Sequence, residues 1–272
     1  MALAVVKPMS VPTGELNKRP MVSIDTVTMS FGSYVAVQDV NLTVADGEFL
    51  AIVGPTGCGK STVLNAIAGL LKPASGRVAI DGAPIKGVQN DIGYLFQQDA
   101  LLPWKTSIEN VELGLLFKGV PSAERRERSM NWLAKVGLKG FEHRYPHQLS
   151  GGQRKRVQMA QALISGPKVI LMDEPFSALD IHTRHLMQNE LLRLWQEERR
   201  AVVMITHDLE EAIALGDRVA ILAAGPRSRV IESFAVELER PRARRGNHAR
   251  STLYGFVSKY LGFPARRSGE KL

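Results

Sequence analysis

The residues with the clearest chemistry form one run, Gly54-Pro55-Thr56-Gly57-Cys58-Gly59-Lys60-Ser61-Thr62. Glycine, four residues, then Gly-Lys-Ser is the spacing of a loop that wraps phosphate. The glycines let the backbone come close to phosphate oxygens. Successive N–H groups and a helix N-terminus then face the negative charge. Lys60 would reach the β- and γ-phosphates, and Ser61 would set its hydroxyl on Mg²⁺. Taken alone, the run specifies a nucleotide binder and leaves kinases, GTPases, helicases and transporter ATPases open. A second group, Val169-Ile170-Leu171-Met172-Asp173-Glu174, is an apolar run ending in two carboxylates. As a buried strand it would carry Asp173 to the carboxyl edge of a sheet, to hold Mg²⁺ through water. Glu174, one residue on, would orient or deprotonate an attacking water. Without a phosphate loop in the chain, the same pair would read as acids capping a strand. A third group is Leu149-Ser150-Gly151-Gly152-Gln153. It is a second glycine-rich helix opening with a hydroxyl, hence a second anion site, or else a plain helix cap with Ser150 as the capping residue.

These groups need elements to position them. Phe49–Val53 is a continuous apolar run that reads as a buried strand feeding the phosphate loop, and Ser61–Leu70 has the period of an amphipathic helix. Val22–Met29 alternates as a strand does, and a turn at Asp46-Gly47 separates strands within 41–53. Shorter strands are expected at Arg77–Ile80 and Ile92–Phe96. Residues 106–165 change character and read as helices at about 107–117, 122–136 and 151–164, punctuated by Pro121-Ser122 and Gly137–Gly140. Strand signals return at 168–172, 201–205 and 217–222, with helices at about 181–198 and 208–215 between them. Strand alternating with helix predicts an α/β fold with a mostly parallel sheet. The expected divisions are a loose leader (1–20), one domain (21–240) with an inserted helical subdomain at about 100–165, and a tail (241–272). Val230–Leu238 has the pattern of one more strand and Ser251–Leu261 that of a short helix.

Composition narrows the class. The chain has 272 residues and a net charge of +8. Residues 240–272 hold nine Lys/Arg and one acid, so the whole excess lies in the tail and the body is neutral. A nucleic-acid-binding body would spread its basic charge over itself, so no nucleic-acid partner is expected. The tail would either touch anionic lipid headgroups or be solvated. One cysteine, Cys58, excludes an internal disulfide framework. It lies near a helix N-terminus, where a thiol pKa tends to fall, so inactivation by a maleimide and protection by the bound Mg-nucleotide are expected. No apolar run approaches the ~18 residues of a membrane span. A role at a membrane therefore calls for a partner that spans it. The first residues lack the pattern of a secretory signal, and a cytoplasmic protein is expected.

With these motifs in hand, the chain resembles the ATP-binding subunit of ABC transporters. The Walker A run is 54–62, the LSGGQ signature 149–153 and the Walker B run 169–174. The D-loop Ser177-Ala178-Leu179-Asp180 follows, then the switch histidine His207 in Ile205-Thr206-His207-Asp208. Gln97 after Tyr94-Leu95-Phe96 matches the Q-loop glutamine. Phe31 falls where the family places an aromatic that stacks on adenine; its alternative is a core aromatic. The motifs keep the family's order across about residues 22–225. The resemblance implies a P-loop NTPase core with an antiparallel β subdomain and a helical subdomain. It implies a second ATPase subunit, head to tail, with each ATP between the Walker A run of one copy and the signature of the other. Ser150, Gly151, Gly152 and Gln153 would then act in trans, and Asp180 would cross the dimer interface. Gln97 would sense Mg²⁺ and the attacking water. His207 would hydrogen-bond the γ-phosphate.

Within the family the chain is similar to importer subunits of the nitrate/sulfonate/taurine group, through Gln97-Gln98-Asp99-Ala100-Leu101-Leu102-Pro103-Trp104 and Ile108-Glu109-Asn110-Val111. That likeness implies transmembrane permease subunits, an indirect solute-binding partner, and a peripheral place on the cytoplasmic membrane face. Leu101, Leu102 and Trp104 would form an apolar docking surface for the permease, or else pack the helical subdomain. Gln153 and Ser177 depart from the group, which often carries Met and Gly there. Only about 45 residues follow 225, too few for the β-rich regulatory domain of sugar and polyamine importers. An exporter subunit and a soluble, non-transport ABC ATPase are the alternatives. Repair members carry a coiled coil between the ATP motifs and translation members fuse two ATPase domains. Here about 110 residues separate Lys60 from the Walker B run.

Overall fold

The computed structural model describes residues 20–240, with Arg242 and Gly255. The leader, most of the basic tail and the expected helix at 251–261 lie outside the described residues. In chain order the elements are β1 (Val22–Phe31), β2 (Tyr34–Val44), β3 (Phe49–Val53), α1 (Lys60–Ile67), β4 (Ser75–Ile80) and β5 (Ala83–Pro84). They continue with β6 (Ile92–Leu95), α2 (Ser107–Leu116), α3 (Ser122–Lys135), a 3-10 turn (Pro146–Gln148), α4 (Gly151–Leu163) and β7 (Val169–Asp173). The last are α5 (Ile181–Glu198), β8 (Ala201–Thr206), α6 (Leu209–Leu215), β9 (Arg218–Leu222) and β10 (Val230–Ala235). The fold is α/β, as expected.

The described residues divide into two compact units, with the divisions between Gly87 and Val88 and between Val202 and Val203. In the first, β2, β1, β4 and β5 make an antiparallel sheet in that order. A second sheet includes the run β10, β9, β3, β8. Its centre is parallel, with Leu50 to Val53 opposite Arg218 to Ile221, and β10 closes it antiparallel to β9. All five residues of β3 are buried, as an apolar run covered on both faces should be. α1 starts directly from the turn that ends β3.

β2 begins at Tyr34, seven residues before the strand legible in the sequence. Its alternation is broken by a bulge: Thr26 and Asp39 both sit at positive φ (49° and 50°), and the β1–β2 register shifts there. Polar side chains satisfy the displaced backbone. Asn41 Oδ1 accepts from Thr26 N (2.9 Å), Thr28 Oγ1 from Asp39 N (3.2 Å). An extra residue on one strand flips the side-chain phase, which hides the strand from a period-two reading.

In the second unit, β6 and β7 pair in parallel, Ile92 opposite Val169 and Leu95 opposite Met172. Four helices accompany them. α2 starts at a reciprocal cap: Thr106 Oγ1 accepts from Glu109 N and Glu109 Oε2 from Thr106 N (2.8 Å). α4 starts the same way, with Ser150 and Gln153 exchanging bonds. Asp180 caps α5. Such polar caps satisfy N–H groups that a helix start leaves without partners.

Candidate functional site

In the first unit, β3 delivers the loop 54–59. Gly57 and Gly59 take positive φ, 77° and 98°. At Gly59 the need is double, because a Cβ would come 2.5 Å from Val37 Cγ1. Gly59 is also the N-cap of α1, and no side chain caps that helix. A helix start without a side-chain cap, with the positive end of the dipole behind it, is a geometry that suits an anion. Lys60 is buried and its Nζ donates to Gly54 O and Pro55 O, both at 2.9 Å. The ammonium is folded back onto its own loop. Ser61, Thr56 and Gly57 are exposed and Pro55 and Thr62 half-buried.

Cys58 corrects an expectation. Its side chain is buried, and burial pushes the thiol above its ordinary value, against the lowering pull of Lys60 and of backbone and Ser228 hydrogen bonds. Desolvation of a thiolate outweighs the helix end here, so the thiol is not an activated one.

Phe31 is 50% exposed, which removes the core reading. It stands opposite Tyr34, equally exposed, across the tight turn between β1 and β2. His207 follows β8 and is exposed. Its neighbours fix the turn: Thr206 Oγ1 donates to buried Glu211 (2.6 Å) and accepts from Asp208 N (3.0 Å). Asp208 Oδ1 caps α6 through Glu210 N and Glu211 N.

In the second unit, β7 is buried over Val169–Met172 and surfaces at Asp173. Glu174 is half-buried with φ at 42°, a left-handed conformation that costs a non-glycine residue about 1–3 kcal/mol and that collects at functional sites. Gln97 Nε2 donates to Glu174 Oε2 at 3.3 Å. The structure thus brings together two of the three residues expected to be catalytic. Tyr94 stacks on Phe96, centroids 4.2 Å apart. Burial, reinforced by the Asp173 charge, raises its phenol far above the ordinary value.

At the signature, Ser150 Oγ accepts from Gln153 N (3.3 Å) and Gln153 Oε1 from Ser150 N (2.9 Å). Both capping partners are therefore signature residues. Gly152 lies close against α5, where a Cβ would meet Thr183 Cγ2 at 2.7 Å and push that side chain aside. Asp180 is exposed. Its carboxyl is held below the ordinary range by Thr183, through the side-chain hydroxyl and then the backbone N–H. The Leu-Leu-Pro-Trp segment splits between its two readings. Leu101 is buried while Trp104 is 71% exposed. Asn110, fully buried, fixes the segment by accepting from Leu102 N (2.8 Å) and donating to Leu102 O (3.2 Å) and Lys105 O (3.0 Å).

Sequence reasoning missed the side chains that hold the Gln97 segment. Lys155 is 4% exposed, and its Nζ donates to Phe96 O (2.8 Å) and Gln97 O (3.4 Å). Burial lowers its pKa to about 8, against the Asp99 charge. Gln158, also buried, reaches Phe96 O and Gln98 O, both at 3.4 Å. The available signal was their spacing: 155 and 158 lie three apart on the helix face that also carries buried Met159.

The ABC transporter family matches residues 37–177. An uncharacterized ABC transporter ATP-binding protein of Methanocaldococcus jannaschii is 49% identical over 77% of this chain and 78% of its own. The taurine import ATP-binding protein TauB of Shigella sonnei is 44% identical over 81% and 86%, and that of Yersinia pestis 41% over 79% and 84%. Among solved structures, a dimeric bacterial ABC transporter cassette aligns with TM-score 0.71 and 37% identity, covering 80% of this chain and all of that one. A post-hydrolysis dimer of that cassette bound to ADP and Pi aligns with TM-score 0.70 at the same identity and coverage. The chain belongs to the ABC transporter ATP-binding family and is an ABC ATPase. No helix among the described residues is long and apolar enough to cross a membrane.

Proposed function

We propose that this chain is the ATP-hydrolysing subunit of an importer for small anionic or zwitterionic solutes such as taurine, other sulfonates or nitrate. The observation that carries the solute class is the 41–44% identity to subunits named for taurine import. The protein works as a pair, two copies of this chain being the simplest arrangement, on transmembrane permease subunits at the cytoplasmic face of the membrane. A solute-binding protein acts on the far side. Exposed Trp104 is the apolar contact offered to the permease.

Within that reading, loop 54–62 holds the triphosphate and Phe31 stacks on adenine. Among the described residues no group of three or more His, Cys, Asp or Glu could cage a metal ion. Ser61, Asp173 and Gln97 are the residues that would hold Mg²⁺, an ion commonly bound by one or two protein oxygens together with phosphates and water. Held there, the ion would offset the negative charge of the triphosphate. Glu174 takes a proton from water as the water oxygen bonds the γ-phosphorus. The bond to the β–γ bridging oxygen breaks, and ADP and phosphate leave. Gln97, hydrogen-bonded to Glu174, orients that carboxylate and the water. His207 steadies the γ-phosphate. Ser150 to Gln153 contact the ATP of the other copy, and Asp180 crosses the interface.

The test is to purify the tagged chain from native membranes in mild detergent. A multi-span permease should accompany it, and ATPase activity should rise when a binding protein loaded with taurine, an alkanesulfonate or nitrate is added. Nucleic acid or ribosomal proteins in place of a permease would overturn the transport reading.

A further inference from the structure

Three side chains of α4 grip one short stretch of backbone. Lys155 donates to Phe96 O and Gln97 O. Gln158 donates to Phe96 O and Gln98 O. Arg154 Nε donates to Asp99 Oδ2 at 2.7 Å, and its Nη1 to Leu149 O at 2.7 Å. Residues 96–99 are thus tied, one after another, to the helix that begins at Ser150. The same stretch carries Gln97, whose side chain meets Glu174. The Lys155 ammonium is almost fully buried. A buried charge is costly unless its partners compensate it, and an apolar residue of similar length would fill the space more cheaply. What an apolar residue lacks is a donor for the carbonyls of 96 and 97. Gln158 alone does not replace it, since both its contacts are long and its buried Oε1 has no hydrogen-bond partner among the described residues.

We propose that Lys155 is a positioning residue for hydrolysis. Its ammonium locks the backbone at 96–97 to α4, so that the Gln97 amide meets Glu174. This rests on Gln97 and Glu174 having the roles given above. A disturbance of the signature end of α4 then reaches the water-activating carboxylate through one rigid helix, with the 96–99 backbone as the linkage.

Lys155→Met keeps the stem and removes the donors, whereas Lys155→Gln keeps one donor. In the full-length chain, Lys155→Met should hold or raise Tm, leave KM for ATP within about twofold, and lower kcat about tenfold, the loss expected of mispositioned reactive groups. Lys155→Gln should recover most of that loss. The double variant Lys155→Met/Gln97→Ala should turn over no more slowly than Gln97→Ala alone, because both remove one linkage. A Lys155→Met protein with parental kcat, or losses that add to those of Gln97→Ala, would overturn the proposal. If Lys155→Met does not fold, the cycle of Lys155→Gln with Gln97→Ala decides on the same criterion. Glu174→Gln and Gln97→Ala are run alongside. Parental turnover in both would sink the underlying catalytic reading instead.

Discussion

Two helices in this protein open from glycine-rich turns, and they are built differently. α1 starts at Gly59, in a left-handed conformation with no side chain capping it. α4 starts at Ser150, in an extended conformation, and closes its own first turn through Ser150 and Gln153. Both have the positive end of a helix dipole. Of the two, only α4 has a side-chain cap, and only α1 carries a buried lysine at its first position. On the proposed function, loop 54–59 is an anion site complete in one chain. The signature is a capped helix start, and on the same proposal it meets its ligand only across a second copy. A glycine-rich helix opening in a sequence does not by itself say which of the two it is. The capping residue does: glycine leaves donors open, and Ser-x-x-Gln closes them.

The difference can be broken from the α1 side. Lys60→Ala should reduce kcat/KM for ATP about a thousandfold, in the range for removing one partner of a buried charge pair. Binding of a fluorescent ATP analogue should fall with it. Ser150→Ala should leave that analogue bound to the isolated chain. Equal loss of binding in both variants would erase the distinction. Glu174→Gln separates binding from chemistry: the analogue should bind as before while turnover falls at least about a hundredfold, the typical worth of a positioned base. Near-parental turnover would remove Glu174 from the mechanism.

Much of this was legible in sequence, because caps and buried runs are local signals. Phe49–Val53 and Val169–Met172 read as buried strands, and Ser150 reads as the capping residue of the helix that follows it. What was hidden depends on distant partners. The start of β2 was masked by the Asp39 bulge. Asn110 is buried against the 102–105 turn, whose backbone it bonds, and no neighbour in sequence signals that contact. Lys155 reads as solvated, because nothing nearby in sequence announces that the carbonyls of 96 and 97 will need donors. Cys58 was misjudged for a related reason. Its helix end and lysine are visible in sequence, while the burial that outweighs them is a tertiary fact.

That correction yields a sharper comparison within the phosphate loop itself. If burial governs Cys58, a maleimide at neutral pH should label the native chain at least about tenfold more slowly than a free thiol, as expected of a raised pKa and blocked access. MgATP should change the rate little, and urea should release it. Fast labelling that MgATP suppresses would restore the reading in which the helix end activates the thiol.

The smallest effect belongs to the cap of α4, and it separates structure from ligand chemistry at one side chain. Ser150→Ala removes the acceptor for Gln153 N and should cost about 1 kcal/mol of stability, the usual worth of an N-cap. Ser150→Asp keeps a capping acceptor and adds negative charge at a helix N-terminus, which the dipole favours. Its Tm should therefore stay near the parent. If Ser150 also meets the phosphates of a second copy's ATP, that same carboxylate repels them, and the well-folded Ser150→Asp chain should turn over more slowly than the less stable Ser150→Ala chain. Stability and activity would then move in opposite directions across the two variants. If they move together, Ser150 is a cap and nothing more, and α4 has no ligand chemistry to set against α1.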